Sequence, residues 1–130
     1  MTIYKIVPAS LWREAEAAGR FRGSPVDLKD GFIHFSTEAQ VRVTAAKHFA
    51  GVSGLLLVAI DGEIAGGANP SLSAEASRAK TEGSPGPLRW EPSRGGELFP
   101  HLYADLPLAA VRWVKPLPLA PDGHHQFPDL

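Results

Sequence analysis

The length and composition of the chain are those of one small globular domain: of its 130 residues, 44% are hydrophobic and 21% are charged, which suits a single folded unit over 1–130. The 13 basic and 14 acidic side chains nearly cancel and are scattered, which excludes a dedicated surface for duplex nucleic acid, and the lack of cysteine excludes disulfides and thiolate metal sites. The longest apolar run, Leu55–Ile60, is far shorter than the ~20 residues of a membrane span, so we expect a cytoplasmic protein that does not enter a membrane.

The first residues predict a strand followed directly by a helix. Ile3–Val7 is rich in β-branched and aromatic side chains, and Pro8 ends it. Ser10 is placed to cap a helix with an apolar stripe that includes Trp12, and Gly19 supplies its left-handed end. We therefore expect Trp12 in the core.

A second strand is predicted over 31–36, where apolar and polar residues alternate. Because alternate residues of a strand point to the same side, His34 and Ser36 share one face. His34 can equally be a half-buried structural histidine. Asp27 and Lys29, just before this strand, have the pattern of a solvated loop pair.

A second helix is predicted over 38–50. Thr37 and Gln40 have the spacing of a capping box, and small apolar residues recur at helical intervals up to Gly51. Free backbone donors at such a helix start attract anions. We expect Ser36 and Thr37 beside a ligand phosphate there, although capping alone also explains Thr37.

The second half of the sequence predicts strands separated by loops. Leu55–Ile60 is typical of a central strand, and the Gly- and Pro-rich stretch 63–87 predicts a long loop with a weak helical tendency over 73–80. The order of elements predicts an α+β fold with helices packed on largely antiparallel strands. The remaining predicted segments are a strand at Leu88–Glu91, a turn at Pro92–Gly96, an extended piece over 98–106 broken at Pro100, a strand at Val111–Val114 and a Pro-rich tail over 116–130.

Several polar and aromatic residues suit the handling of a sugar-containing ligand. Hydroxyls and imidazoles bond ribose hydroxyls, an aromatic face stacks a heterocycle, and a carboxylate stabilises an oxocarbenium-like centre. His124 and His125 have no partner at ligand spacing, so no metal site is expected. The candidates are His34, Ser36, Thr37, Glu91, His101 and Tyr103.

The later candidates also have structural alternatives. Glu91 can be an ordinary carboxylate paired with Arg89 or Arg94, and Glu97 is a rival for its role. Tyr103 points the same way as His101 if both lie in a strand, but it can instead pack in the core with its hydroxyl at the rim. The sequence leaves these alternatives open.

Four motifs in this order give the chain a family resemblance. They are Ile3-Tyr4-Lys5-Ile6, the GFIHFST segment over 31–37, LRWE over 88–91 and FPHLY over 99–103. Together they resemble the bacterial "domain of unknown function 952" family over nearly the whole chain. Members of that family look like distant relatives of the ADP-ribosyltransferase fold. The resemblance implies two N-terminal helices packed on largely antiparallel, split sheets.

The resemblance also implies site residues. By this resemblance, Lys5 occupies the position where an Arg or His faces NAD. Ser36-Thr37 corresponds to the hydroxyl motif but lacks its second Ser. Glu91 or Glu97 corresponds to the catalytic Glu, although the chain has no Glu-x-Glu pattern. The resulting assignment gives catalytic roles to Glu91 and His101 and ligand-binding roles to Lys5, His34, Ser36, Thr37, Gln40 and Tyr103.

The implied activity is cleavage of NAD at the nicotinamide glycosidic bond by a transferase or hydrolase. Glu91 would bond the ribose 2′-hydroxyl, and the start of the second helix would hold the pyrophosphate. NAD is then a substrate, no cofactor is tightly bound, and the partner is a small molecule or nucleotide. The alternatives are a nucleotide-binding module without chemistry and a protein-interaction domain that uses the loop over 63–87.

Overall fold

The computed structural model describes residues 1–65, 87–93 and 97–130. Its elements in chain order are β1 (Thr2–Pro8), α1 (Ala9–Ala18), β2 (Arg20–Phe21), α2 (Pro25–Asp30), β3 (Ile33–His34), α3 (Glu38–His48), β4 (Leu55–Asp61), β5 (Leu88–Ser93), β6 (Glu97–Leu102), β7 (Leu106–Pro107), a 3₁₀ turn (Leu108–Ala110) and β8 (Val111–Leu117). The fold is α+β with antiparallel sheets, as the sequence predicts.

The first sheet is built around the apolar strand β4, which lies between β1 and β8. Both neighbours run antiparallel to β4, and Leu57, Val58 and Ile60 are fully buried. The predicted central position of this strand is confirmed. β8 runs to Leu117, three residues past the predicted end, and Pro116 is accommodated there because β8 is an edge strand.

The second sheet has the order β3-β6-β5, and a backbone bridge between Tyr4 and Ser36 joins the segment after β3 to the first sheet. There the backbones of Tyr4 and Ser36 exchange two hydrogen bonds, of 2.8 and 2.9 Å. The predicted break at Pro100 is wrong, because β6 continues through it. Phe35 donates its N–H to the Pro100 carbonyl over 3.0 Å, and Pro100 has no N–H to return, so the pairing of β3 ends at His34.

The chain after β6 also departs from the sequence prediction. The extended piece expected over 98–106 ends at Leu102, and Leu106–Pro107 pairs with Arg20–Phe21 in a separate two-stranded ladder. The tail after β8 folds back: Gln126 donates its N–H to the Pro118 carbonyl, and the partly buried Phe127 packs against the apolar cluster that contains Tyr4 and Val41.

The two predicted helices are present with small changes at their ends. Pro8, not Ser10, precedes the first helical residue of α1, because β1 runs without a break into the helix, whereas Gly19 ends it at φ 83° as predicted. Both bonds of the predicted capping box start α3: the Thr37 N–H donates to Gln40 Oε1 over 3.0 Å, and the Gln40 N–H donates to Thr37 Oγ1 over 3.3 Å. α3 ends two residues early, at His48.

A third helix, α2, is absent from the sequence prediction. Ser24 and Asp27 form its capping box, Pro25 occupies its first turn, and Gly31 ends it at φ 87°. The expectation that Asp27 is solvated with Lys29 is wrong, since Asp27 is only 1% exposed. Its carboxylate points inward because it bonds Lys5 rather than water.

Two apolar clusters hold the described part of the chain together. One contains Ile3, Trp12 and Leu102, and the other contains Tyr4 and Leu57. The burial of Trp12 confirms its predicted place in the core. Among the described helices, none is long and apolar enough to cross a bilayer.

Parts of two sequence predictions lie outside the described residues. The loop predicted over 63–87, including its helical tendency over 73–80, falls largely on residues 66–86. The turn predicted at Pro92–Gly96 falls partly on residues 94–96, while Pro92 itself belongs to β5.

Candidate functional site

A cavity of about 640 Å³ is lined by residues of β1, α2, β3, α3 and β6. Pockets for small ligands are typically ~300–1,000 Å³ and mostly apolar, with a few convergent polar groups. This cavity follows that pattern. Its polar side chains include Lys5, Asp27, His34, Ser36 and His101.

One wall of the cavity carries His101, which is paired with a carboxylate behind it. The imidazole is 5% exposed, and its Nδ1 lies 2.9 Å from Glu91 Oε1. The Tyr103 hydroxyl donates to the same oxygen over 2.6 Å. These hydrogen bonds, from Tyr103 first and His101 second, lower the pKa of Glu91, and the bond to Glu91 raises the pKa of Tyr103.

The pairing with Glu91 fixes how His101 faces the cavity. An ionised carboxylate only accepts hydrogen bonds, so His101 Nδ1 carries the proton that it donates. Nε2 is then the ring nitrogen left for a ligand, and no described residue bonds it. His101 lines the cavity whereas Glu91 does not, so the carboxylate lies behind the imidazole.

The part of the cavity beside His34 is organised by the buried Asp27. Its oxygens lie 2.9 and 3.0 Å from Lys5 Nζ and 2.6 Å from His34 Nδ1, and they accept from the Ser24 N–H and hydroxyl. Burial alone would raise the pKa of Asp27, but the hydrogen bond from His34 and the charge of Lys5 outweigh it and hold this pKa well below its usual range. Burial lowers the pKa of Lys5, against the attraction of Asp27.

His34 and His101 lie side by side in the cavity lining. They are direct partners in the β3–β6 pairing, and their ring centroids are 5.5 Å apart in an edge-on arrangement. Phe32 stacks on His101 at 4.2 Å. His34 differs from His101 in having carboxylates at both ring nitrogens, because its Nε2 lies 3.0 Å from Asp30.

The structure brings together four of the residues assigned from the sequence. Lys5, His34, Ser36 and His101 all line the cavity. Ser36 is buried, and its Oγ lies 2.9 Å from Thr44 Oγ1 on α3. His34 and Ser36, which are expected on one face, both line the cavity, and Phe35 between them lines it as well.

Of the four assigned residues outside the cavity lining, Thr37 and Gln40 have structural contacts. Thr37 caps α3, and Gln40 Nε2 donates to the Leu98 carbonyl over 2.8 Å and to Glu97 Oε1 over 3.3 Å. The first turn of α3 also carries the acidic Glu38. Its N-terminus is therefore a poor place for a phosphate.

Tyr103 lies at the rim and not in the core. It is 39% exposed, its ring lies 5.1 Å from that of Phe32, and the Arg89 guanidinium stands 4.7 Å from its centroid. The alternative of core packing is wrong, because Tyr103 follows the end of β6 and its exposed side chain bonds Glu91 at the rim. Among the described residues, the hydrogen-bond partners of the Glu91 carboxylate are His101 and Tyr103.

Comparison with known proteins places the chain in a family. A family model described as "Protein of unknown function (DUF952)" matches residues 6–114. The chain belongs to the DUF952 family. This confirms the family that the sequence motifs indicate. No curated protein matches the chain.

Two experimental structures similar to this DUF952 chain are of the protein CC0527 from Caulobacter crescentus. The crystal structure is 40% identical, covers 97% of this chain and 94% of that chain, and superposes with a TM-score of 0.75. The solution NMR structure is 42% identical, covers 96% and 91% of the two chains, and gives a TM-score of 0.72. The fold described above is therefore shared with an experimentally determined structure.

Sequence reasoning missed the acidic side of this DUF952 cavity. Asp27 and Asp30 lie on α2 and line the cavity. Thr44 and His48, which are one helical turn apart on α3, line it as well. The capping-box spacing of Ser24 and Asp27 is the signal that could have revealed α2. Within residues 1–65, 87–93 and 97–130, no group of His, Asp or Glu is arranged to hold a metal ion.

Proposed function

We propose that the cavity binds a small nucleotide-like ligand, with NAD or ADP-ribose as the ligands to test first, and that the Glu91–His101 pair acts on it as an acid–base centre. The observation that carries the proposal is the place of His101. Its imidazole lies between a carboxylate at Nδ1 and the cavity, with Nε2 unbonded by any described residue. A histidine oriented in this way by a carboxylate is the arrangement of a general base.

The proposed reaction uses His101 to activate the group that attacks the sugar. As the glycosidic bond to nicotinamide breaks, water or an acceptor hydroxyl bonds to the anomeric carbon and gives its proton to His101 Nε2. Glu91 stabilises the imidazolium that forms, since its carboxylate lies 2.9 Å from Nδ1. Proton transfer by a positioned side chain typically contributes about 10²- to 10⁴-fold to the rate.

The rest of the cavity suits a sugar and a heterocycle. The partly exposed Asp30 carboxylate can accept from ribose hydroxyls, and Ser36 can both donate and accept. Outside the cavity lining, Phe32 and Tyr103 form an aromatic face next to His101, which suits stacking. In this proposal Glu91 positions His101, in place of the direct contact with the ribose 2′-hydroxyl that the family resemblance implies.

The test is ligand binding followed by turnover. ADP-ribose and NAD are titrated into the protein by calorimetry, and nicotinamide release is followed by chromatography. We expect millimolar or tighter binding and a His101→Asn variant with nicotinamide release lowered by about 100-fold. Asn keeps a donor near the position of Nδ1 for Glu91 but removes Nε2.

His124→Asn is the matched control, because His124 is an exposed histidine in the tail. It should leave both binding and release unchanged. ADP-ribose binding without nicotinamide release would refute the catalytic half of the proposal and leave a binding module. The absence of binding by either ligand at millimolar concentration would refute all of it.

A further inference from the structure

The cavity contains two imidazoles, each supported by its own carboxylate. Asp27 lies 2.6 Å from Nδ1 of His34, and Glu91 lies 2.9 Å from Nδ1 of His101. The two histidines are direct partners on neighbouring strands, with ring centroids 5.5 Å apart. The proposed function uses only one of them.

The carboxylates around the two rings are arranged differently. His34 has a carboxylate beside each ring nitrogen, with Asp27 2.6 Å from Nδ1 and Asp30 3.0 Å from Nε2. His101 donates from Nδ1 alone, and its Nε2 has no partner among the described residues. The two carboxylates beside His34 suit a ring that gives a proton, and the unbonded Nε2 of His101 suits a ring that takes one.

We propose that His34 and His101 form a two-histidine acid–base centre for phosphodiesters that carry a neighbouring hydroxyl, as in short RNA. The inference rests on the proposed function only in using the same cavity and His101. A cleavable diester of this class needs one proton removed and another delivered on opposite sides of the phosphorus. Two adjacent imidazoles, one to take a proton and one to give a proton, meet that need.

The proposed step balances within the substrate and the two histidines. The 2′-oxygen bonds to phosphorus while its proton passes to His101 Nε2. The bond from phosphorus to the 5′-oxygen breaks, and that oxygen takes the proton from His34 Nε2. The products are a 2′,3′-cyclic phosphate and a free 5′-hydroxyl. Return of a proton from His101 to His34 through water restores both rings.

Neighbouring residues fit this step. Lys5 lines the cavity and has three N–H donors, of which the two Asp27 oxygens take at most two, so a third can reach a phosphoryl oxygen. Asp30 is 39% exposed on its side chain and can turn toward solvent when His34 Nε2 donates to the substrate. Asp27 stays in place and keeps the His34 ring oriented.

Two probes separate the roles of the histidines. The dinucleotide uridylyl-(3′→5′)-adenosine has an alkoxide leaving group and needs both proton transfers. The ester 2-hydroxypropyl p-nitrophenyl phosphate has the same internal hydroxyl, but its nitrophenolate leaves without a proton. The cyclic phosphate is measured by chromatography, and nitrophenolate is measured by absorbance.

We expect His34→Asn to lower dinucleotide cleavage by about 100-fold or more and ester cleavage by less than about 10-fold. His101→Asn should lower both by about 100-fold. Asn can still donate to Asp27 or Glu91, and a thermal unfolding curve checks that each variant folds. His124→Asn, purified identically, should match the wild type and controls for contaminating nuclease.

Two results would overturn the inference. One is cleavage of neither probe by the wild type, and the other is an equal loss on both probes in His34→Asn, which a merely structural role would give. If the wild type still binds ADP-ribose and releases nicotinamide from NAD in those cases, the inference fails while the proposed function stands. If ADP-ribose does not bind and the dinucleotide is cleaved, the proposed ligands are wrong and this inference stands.

Discussion

Replacing Asp27 with asparagine removes the charge that neutralises Lys5 inside the protein. Asp27 is 1% exposed and lies 2.9 Å from Lys5 Nζ, so the variant leaves a buried ammonium without a counter-charge. Removing one partner of a buried ion pair costs about 3–5 kcal/mol. For a domain of this length, that free energy corresponds to a fall in Tm of roughly 10–20 °C.

Urea unfolding followed by circular dichroism measures this loss for Asp27→Asn. The matched control is Asp105→Asn, whose carboxylate pairs with Arg20 at the surface over 3.4 Å and should change stability by less than about 1 kcal/mol. Adding Lys5→Met to Asp27→Asn should restore part of the lost stability, because the unpaired ammonium is gone. An Asp27→Asn midpoint equal to that of the wild type would refute this reasoning.

The remaining predictions concern pH, the rim of the cavity and the start of α3. The folded pKa of Asp27 lies below its unfolded value, so its contribution to stability is present above the unfolded pKa and is lost as pH falls through the folded pKa. Between neutral and acidic pH, the free energy of unfolding should therefore fall by less in Asp27→Asn than in the wild type, with a difference on the order of 2–3 kcal/mol. Glu91→Gln should lower the raised pKa of Tyr103, so that tyrosinate absorbance appears at a lower pH than in the wild type. A tyrosinate titration curve identical to that of the wild type would exclude the hydrogen bond between Tyr103 and Glu91. Thr37→Ala should cost about 0.5–2 kcal/mol in urea unfolding with unchanged ADP-ribose affinity, whereas weaker binding would make Thr37 a ligand contact.

Features set by nearby residues were predictable from the sequence. The apolar run of β4 and the Thr37–Gln40 capping box both depend on residues within a few positions of each other, and both are present. The expectation that His34 and Ser36 share a face follows from strand alternation alone. The family resemblance rests on such short motifs too, and it holds over residues 6–114.

Features set by distant contacts were not predictable. Asp27 reads as a loop residue because its partner Lys5 is 22 positions away, and only the folded chain brings them together. The sequence predicts a strand break at Pro100. β6 nevertheless continues through this residue, because β3 stops pairing with β6 beside it. The role of Glu91 as the partner of His101 depends on the register of β5 against β6, which no local pattern fixes.

Long-range nitrogen–proton NMR of the histidine side chains tests the central claim most directly. The chain has five histidines, and His34 and His101 line the cavity whereas His124 lies in the tail. On titration with ADP-ribose, we expect the Nε2 signal of His101 to move with saturation while the signals of His124 stay in place. Saturating ligand that leaves the His101 signals unmoved would contradict the claim that this imidazole faces a nucleotide site.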